Sequence, residues 1–298
     1  MKLIRPTTIT DTALSASSVP ETDYAAWSSA VTYAAGARVI LTSTHRRYES
    51  LSGSNLNKNP ATNPDAWVDV GPTNRWAMFD DRVGTATTAT GSFEATVAPG
   101  SIDALAVVDT DAELITVEMK VGPTTIYNRT QSTNVGGVAI TDWFLYFFEP
   151  IGRKTAVTFL DLPVFPLGVV KVTFTGPNPA GPVSAGTLIV GRQLSIGATE
   201  VSPQIGINDF SRKVTDDYGV TSVVERAWSK RMTLRVLLDT GAVDGVQRSL
   251  AAVRAIPVLW IGEEGYDSLT VYGFYKSFTI DIAYAVQSYC SLEIEGLI

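Results

Sequence analysis

Ile115-Thr116-Val117-Glu118-Met119-Lys120-Val121 sets an apolar side chain at every second position with polar ones between. Successive side chains of a strand leave opposite faces, so a period of two with one polar face reads as a strand buried on one side only. Val170-Lys-Val-Thr-Phe-Thr175 repeats the pattern. Gly176-Pro-Asn-Pro-Ala-Gly-Pro182 then separates it from an apolar stretch at Leu188 to Val190. That stretch of Pro and Gly can only be a rigid loop. Half-buried antiparallel strands joined by such loops build a β-sandwich, so the chain reads as mainly β.

Downstream the pattern changes. Val243, Val246, Leu250 and Val253 recur at helical spacing between Gly241 and Pro257, which predicts the one clear helix. Strand-like text precedes it from Met232 and follows it from Pro257 to Ile294, giving a carboxy-terminal α+β unit over 199–298. Cys290 alternates with Leu292 and Ile294, which places its thiol on the inner face of a late strand. As the sole cysteine it makes no internal disulfide.

Upstream of the sandwich, Gly71-Pro72-Thr73-Asn74 marks a joint. Before it lies a segment rich in rings: Trp27, Tyr33, Gly36, Val39, Tyr48, then Asn63-Pro64 and Trp67. Residues 1–22, dominated by Thr, Ser and Ala, lack hydrophobic periodicity. They read as an extended arm that orders once a neighbour supplies a groove. The division expected is an arm at 1–22, a small aromatic-rich β module at 23–74, a sandwich at 75–198 and an α+β assembly domain at 199–298.

The aromatic spacing resembles the chitin-binding type of carbohydrate-binding module found on bacterial chitinases and on tailed-phage virion proteins. Ala37 stands where that family usually has Asp, and Thr42 to Arg47 replaces its short glycine turn. The resemblance implies a saccharide platform formed by Trp27, Tyr33, Tyr48 and Trp67, since a flat ring meets the C–H face of a sugar at little entropic cost. A tryptophan is seldom entirely buried, which makes Trp27 and Trp67 the better stacking candidates. Trp76, Trp143, Trp228 and Trp260 lie in or beside apolar strands and read as core or interface. The middle strands resemble the jelly-roll of galactose-binding-like domains, and the α+β close resembles the end domains of tail-tip and baseplate components.

The chemistry-bearing residues are sparse. His45 is the only histidine, in the polar loop Ser43-Thr-His-Arg-Arg47, where two arginines oppose a bound cation. It reads as a solvated loop residue, neither metal ligand nor base. No Gly-x-Ser-x-Gly elbow and no Gly-x-Gly-x-x-Gly loop occurs, and Gly152-Arg-Lys-Thr155 has Phe147 where a phosphate loop needs its first glycine. Asp80-Asp81, Asp216-Asp217 and Glu263-Glu264-x2-Asp267 are acid clusters. Adjacent acids point to opposite faces of a strand or serve as turn formers, so they read as solvated. Neither a metal, a cofactor nor a catalytic residue is expected.

A net charge of −7 with 18% charged residues argues against nucleic acid, which needs clustered Lys and Arg. Met1 to Pro6 leads into Thr and Ser without the apolar core of a signal peptide. The longest apolar run, Trp143 to Phe148, suits a buried strand and is too short to cross a membrane. The Asn128-Arg-Thr130 sequon means nothing without a secretory route.

The reading that unites these features is a structural, non-enzymatic component of a tailed-phage tail tip or baseplate. It would be made in the host cytoplasm, placed in the virion, and assembled in a ring with its own copies and other tail proteins, with host surface polysaccharide as a further partner. Two alternatives stay open: a polysaccharide-active enzyme with a targeting module, and an architectural subunit with no ligand.

Overall fold

Leu3 and Ile4 are neighbours in sequence, yet both are buried. Only a strand covered on both faces accommodates that. The computed structural model describes residues 1–80, 82–134, 143, 152–154, 156–215 and 217–297, and in it β1 (Lys2–Pro6) lies inside the largest sheet. The chain then runs through β2 (Leu14–Ser17) into a small unit of β3 (Thr32–Tyr33), β4 (Arg38–Leu41), β5 (Arg46–Ser50), β6 (Asn55–Leu56) and β7 (Trp67–Pro72). Here β4, β5 and β7 form a three-stranded sheet and β3 pairs with β6.

The middle of the chain contributes β8 (Thr87–Thr90), β9 (Ser92–Val97), β10 (Ala104–Thr110), β11 (Leu114–Val121), β12 (Thr124–Ser132), β13 (Ala156–Phe159), β14 (Val169–Thr175) and β15 (Pro182–Ser195). A five-stranded sheet of order β12-β11-β14-β9-β2 faces the β13-β10-β15 end of the larger sheet. Their inward side chains interleave as the sequence period predicts. Ile115, Val117 and Met119 meet Val170, Val172 and Phe174 from one sheet, and Leu105, Val107, Phe159 and Val190 come from the other. Phe93 and Phe174, opposite each other across β9 and β14, stack at 4.6 Å between centroids. The sandwich-like, mainly β architecture is therefore present.

The remaining strands are β16 (Ala198–Thr199), β17 (Gln204–Asp209), β18 (Arg212–Thr215), β19 (Thr221–Val224), β20 (Trp228–Asp239), β21 (Val258–Ile261), β22 (Thr270–Asp281) and β23 (Gln287–Gly296). Helix α1 (Val243–Ala252) falls where the apolar spacing put it, with Val246, Leu250 and Val253 buried against Met232, Val236, Trp260 and Leu292. Cys290 is buried in the same core.

The amino-terminal segment requires a correction. Instead of a loose arm awaiting a neighbour, it supplies strands to its own chain. The large sheet runs β13-β10-β15-β1-β21-β22-β23-β20-β16, so β1 is the strand that joins the sandwich to the α+β unit. Leu3 pairs with Leu194 on one side and Trp260 on the other, and Ile4 pairs with Gln193 and Leu259. Leu3 enters the helix-side core, whereas Ile4 faces the opposite cluster of Ala104, Ala106, Ile189, Leu259, Ile261 and Tyr272. Gly191 permits the close approach: a Cβ there would stand 2.0 Å from the Arg5 carbonyl oxygen. The 198/199 division thus separates two cores that share one sheet.

The tryptophans outside the module also divide. Trp260 is wholly buried, and its indole N–H donates to the Gly273 carbonyl at 3.0 Å. Trp76 is half-buried against the sandwich core, whereas Trp228 and Trp143 are exposed. Residues 144–148 of the expected buried run lie outside the described residues.

Candidate functional site

The module has a core of its own, made by Val39, Tyr48, Ala66 and Trp67, with Trp27, Tyr33 and Leu41 packed against it. Of the four rings expected to form a platform, Tyr48 and Trp67 are consumed in that core. Trp67 is 2% exposed. Its indole N–H donates to the Lys58 carbonyl at 2.8 Å, and Tyr33 meets it edge-on at 5.2 Å. The ranking of Trp67 among the better stacking candidates is therefore corrected: a backbone acceptor satisfies the one polar atom that would otherwise hold the ring at the surface. Trp27 and Tyr33 keep part of their surface. They are tied together through Ser28, whose backbone N–H donates to the Tyr33 hydroxyl at 2.8 Å. Trp27 itself is fixed by its backbone N–H to the Ile40 carbonyl at 2.9 Å, and its indole nitrogen is buried without a partner. Val31, just before β3, and Leu56, opposite Thr32 on β6, are exposed. What the module offers a ligand is thus the Trp27–Tyr33 edge with aliphatic flanks.

His45 also departs from expectation, since it is no solvated loop residue. It adopts a left-handed conformation, φ 53°, that turns its ring toward the body of the protein. Nδ1 lies 3.0 Å from a Glu21 carboxylate oxygen, Nε2 faces Asp11, and the ring stacks on Trp76 at 4.1 Å. Glu21 in turn accepts from the Thr73 hydroxyl at 2.9 Å. The Asn74 backbone N–H donates to Asp23 at 2.7 Å. One side chain of the module's loop therefore touches both the segment before the module and the start of the sandwich. The two carboxylates sit on opposite edges of the ring, so they share no point at which a cation could be held. Among the described residues no three His, Cys, Asp or Glu groups form a metal set.

A cleft of about 470 Å³ opens where the sandwich meets the α+β unit and is lined by Lys2, Arg129, Lys154, Asp161, Glu264 and Asp267 among others. Each of its acids is held by a cation. Asp161 accepts from the Tyr127 hydroxyl at 2.7 Å and from Arg129 at 3.0 Å. Burial works to raise this carboxyl, but the Tyr127 hydrogen bond and the Arg129 charge outweigh it, and the net direction is down. The Tyr127 phenol is pushed up to about 12, by burial first and then by the carboxylate. Glu264 pairs with Lys2 at 2.6 Å and Asp267 with Lys230 at 3.0 Å. The Glu263 cluster is thereby split between two lysines of different strands. Asp81 and Asp216 lie outside the described residues.

Asp80 differs from these acids. Its Oδ1 accepts from the Thr85 hydroxyl at 2.7 Å, whereas Oδ2 is buried without a partner. Burial holds its carboxyl above the usual range. It lines a cleft of about 300 Å³ with Arg46, Phe79 and Tyr272.

Two features escaped the sequence reading. His45's contacts come from residues 24 and 34 positions away, which no local spacing encodes. A long exposed hairpin over residues 204–233 also went unread, although its text holds Ile205-x-Ile207, Phe210, Val214, Val223-Val224 and Trp228 between polar residues. No protein-family model matches this chain, and no curated protein matches it at a significant level. Among the described residues no helix is long and apolar enough to cross a membrane.

Proposed function

We propose that this protein is a structural component of a tailed-phage tail tip or baseplate, which assembles with neighbouring subunits and carries its aromatic module as a weak glycan-binding appendage. The observation that carries the reading is modular construction. A small sheet with a separate core is fastened to a two-sheet body through His45 and the acids around it. Such a build suits a displayed binding unit on an assembling frame. The spacing of its rings, similar to chitin-binding modules, supplies the ligand class. Affinity for a polysaccharide would come from several copies acting at high effective concentration, so the partial Trp27–Tyr33 surface suffices. The acids of the 470 Å³ cleft are each paired with a Lys or Arg, an arrangement that suits a structural surface there.

Burial of Tyr48 and Trp67 favours a second reading, an architectural subunit whose module braces its neighbours and binds no sugar. Two measurements test the proposal. Mass spectrometry of purified phage particles should find the chain in the tail fraction; its absence from every particle refutes the virion assignment. Retention on chitin or bacterial-envelope glycan should fall at least tenfold in Trp27→Ala, and unchanged retention decides for the architectural reading.

A further inference from the structure

The outermost strand of a sheet leaves one row of backbone N–H and C=O groups unpaired, and folded proteins blunt such edges with side chains, charges, bulges or brevity. The edges of the two large sheets are blunted in these ways, with one exception. At β13 the Asp267 carboxylate accepts from the Ala156 N–H at 2.9 Å, and the Gln131 amide donates to the Thr158 carbonyl at 2.9 Å. The Asn74 amide covers β8, donating to the Thr88 carbonyl and accepting from the Thr88 N–H, both at 2.8 Å. β12 carries Arg129 and a register shift opposite Met119 and Lys120, β2 is four residues long with a shift of its own, and β16 has only two residues.

The exception is β17. It lies along β20 in unbroken register from Gln204↔Thr233 to Asp209↔Trp228, and no other strand pairs with it. Among the described residues no side chain hydrogen-bonds to its backbone. Its text, Gln204-Ile-Gly-Ile-Asn-Asp209, holds neither proline nor lysine, and its one charge stands at the end. Ile205 and Ile207 share a face, being two residues apart, and are 55% and 59% exposed. β23 backs β20 only from Arg231 onward, so the outer half of β17 belongs to a ribbon of two strands, which is marginal in water by itself.

An open edge of this kind accepts a strand, and β17 is complementary to itself. Turned antiparallel about Gly206, a second β17 sets Ile205 opposite the partner's Ile207 and Gln204 opposite the partner's Asn208, so that methyl meets methyl and amide meets amide. A slip of one residue would set each isoleucine against a glycine or an amide instead. Gly206 itself falls on the axis, where it presents no side chain to obstruct the approach.

We propose that β17 of one copy pairs antiparallel with β17 of a second copy about a two-fold axis at Gly206, which joins the two large sheets into one. The contact supplies a self-interface to the assembly reading and rests on that reading for its biological setting, but not for its test.

Light scattering of the full chain should show a dimer that dissociates on dilution. Ile205→Lys/Ile207→Lys, which places two cations on the shared edge, should halve the mass and leave the melting temperature of the dilute protein unchanged, because both side chains are exposed. Disulfide trapping reads the register. Cα atoms opposite each other in antiparallel strands stand about 4.5 to 5.5 Å apart, within disulfide range, and the native Cys290 is buried. On oxidation Gly206→Cys should link to its own copy, and a Cβ at that position meets nothing closer than the Arg231 guanidinium at 3.5 Å. Ile205→Cys and Ile207→Cys should link more when mixed than when each is alone. A parent that is monomeric at every concentration overturns the proposal, as does a lysine variant that still dimerises or a mixture that links no better than its parts. If Gly206→Cys does not fold, the mixture decides the register. Detection of the chain in phage particles is a separate measurement, so the virion assignment and the strand contact can fail independently.

Discussion

Replacing Ile4 by Ala tests whether the amino-terminal strand belongs to the lone molecule. Ile4 is 0% exposed, pressed between strands of the sandwich and of the α+β unit. The change removes three buried carbons, about 2.4 kcal/mol at about 0.8 kcal/mol each. The cavity left between two backbone ladders adds to this, for a total of about 3 to 4 kcal/mol. In a chain of 298 residues that is a fall in melting temperature of roughly 5 to 6 °C. Leu3→Ala, on the opposite face, should cost a similar amount because it opens the helix-side core. Calorimetric melts at several dilutions separate this loss from any contribution of assembly, which would vary with concentration. If the segment were an arm that orders only against a neighbour, both substitutions would leave the dilute protein unchanged. A midpoint for Ile4→Ala within a degree of the parent therefore refutes the seam.

Trp67→Ala should cost about 3 to 5 kcal/mol and open the module to protease while the sandwich persists, since this ring is the module's largest buried group; limited proteolysis that cuts parent and variant alike contradicts it. The Cys290 thiol is pushed up to about 11 by burial and by Asp281, so thiolate is scarce at pH 8 and a disulfide reagent should label the protein only in denaturant; rapid labelling of the native protein goes against this. Asp80's folded-state pKa is raised, so its contribution to stability is present below the unfolded carboxyl range and is lost as pH rises through the folded value. Asp80→Asn should then match the parent at acid pH and exceed it at pH 7 in urea unfolding, and a gain that ignores pH counts against that assignment.

Strand and helix faces could be read in the sequence wherever one side meets water. Ile115 to Val121 and Val243 to Val253 carry their period because their outer faces stay polar. β1 gave no such pattern: with a core on each face, its signal shrinks to the pair Leu3-Ile4 between charged neighbours. Its partners lie nearly 190 and 255 positions away, and no local spacing announces a pairing over that distance. The module's rings were visible as a set, but spacing does not say which ring faces inward. That was decided by one carbonyl, Lys58, placed to receive the Trp67 indole. The hairpin was missed for a related reason: its apolar side chains face no core of their own chain, so they fit no amphipathic template.

Placing so early a strand between residues 191–195 and 259–261 also sets the order of events during synthesis. At about 5 to 20 residues per second, β1 leaves the ribosome roughly 13 to 50 seconds before its second partner is made. The sandwich strands can close meanwhile, since their pairings fall within residues 14–195. Leu3 and Ile4 have no complete slot until Val258 to Ile261 emerge, so the central joint cannot lock before then. Non-local closure of this kind is slow, and a ribosome-bound chain waits through it with its β15 edge open to chaperones and to other nascent copies.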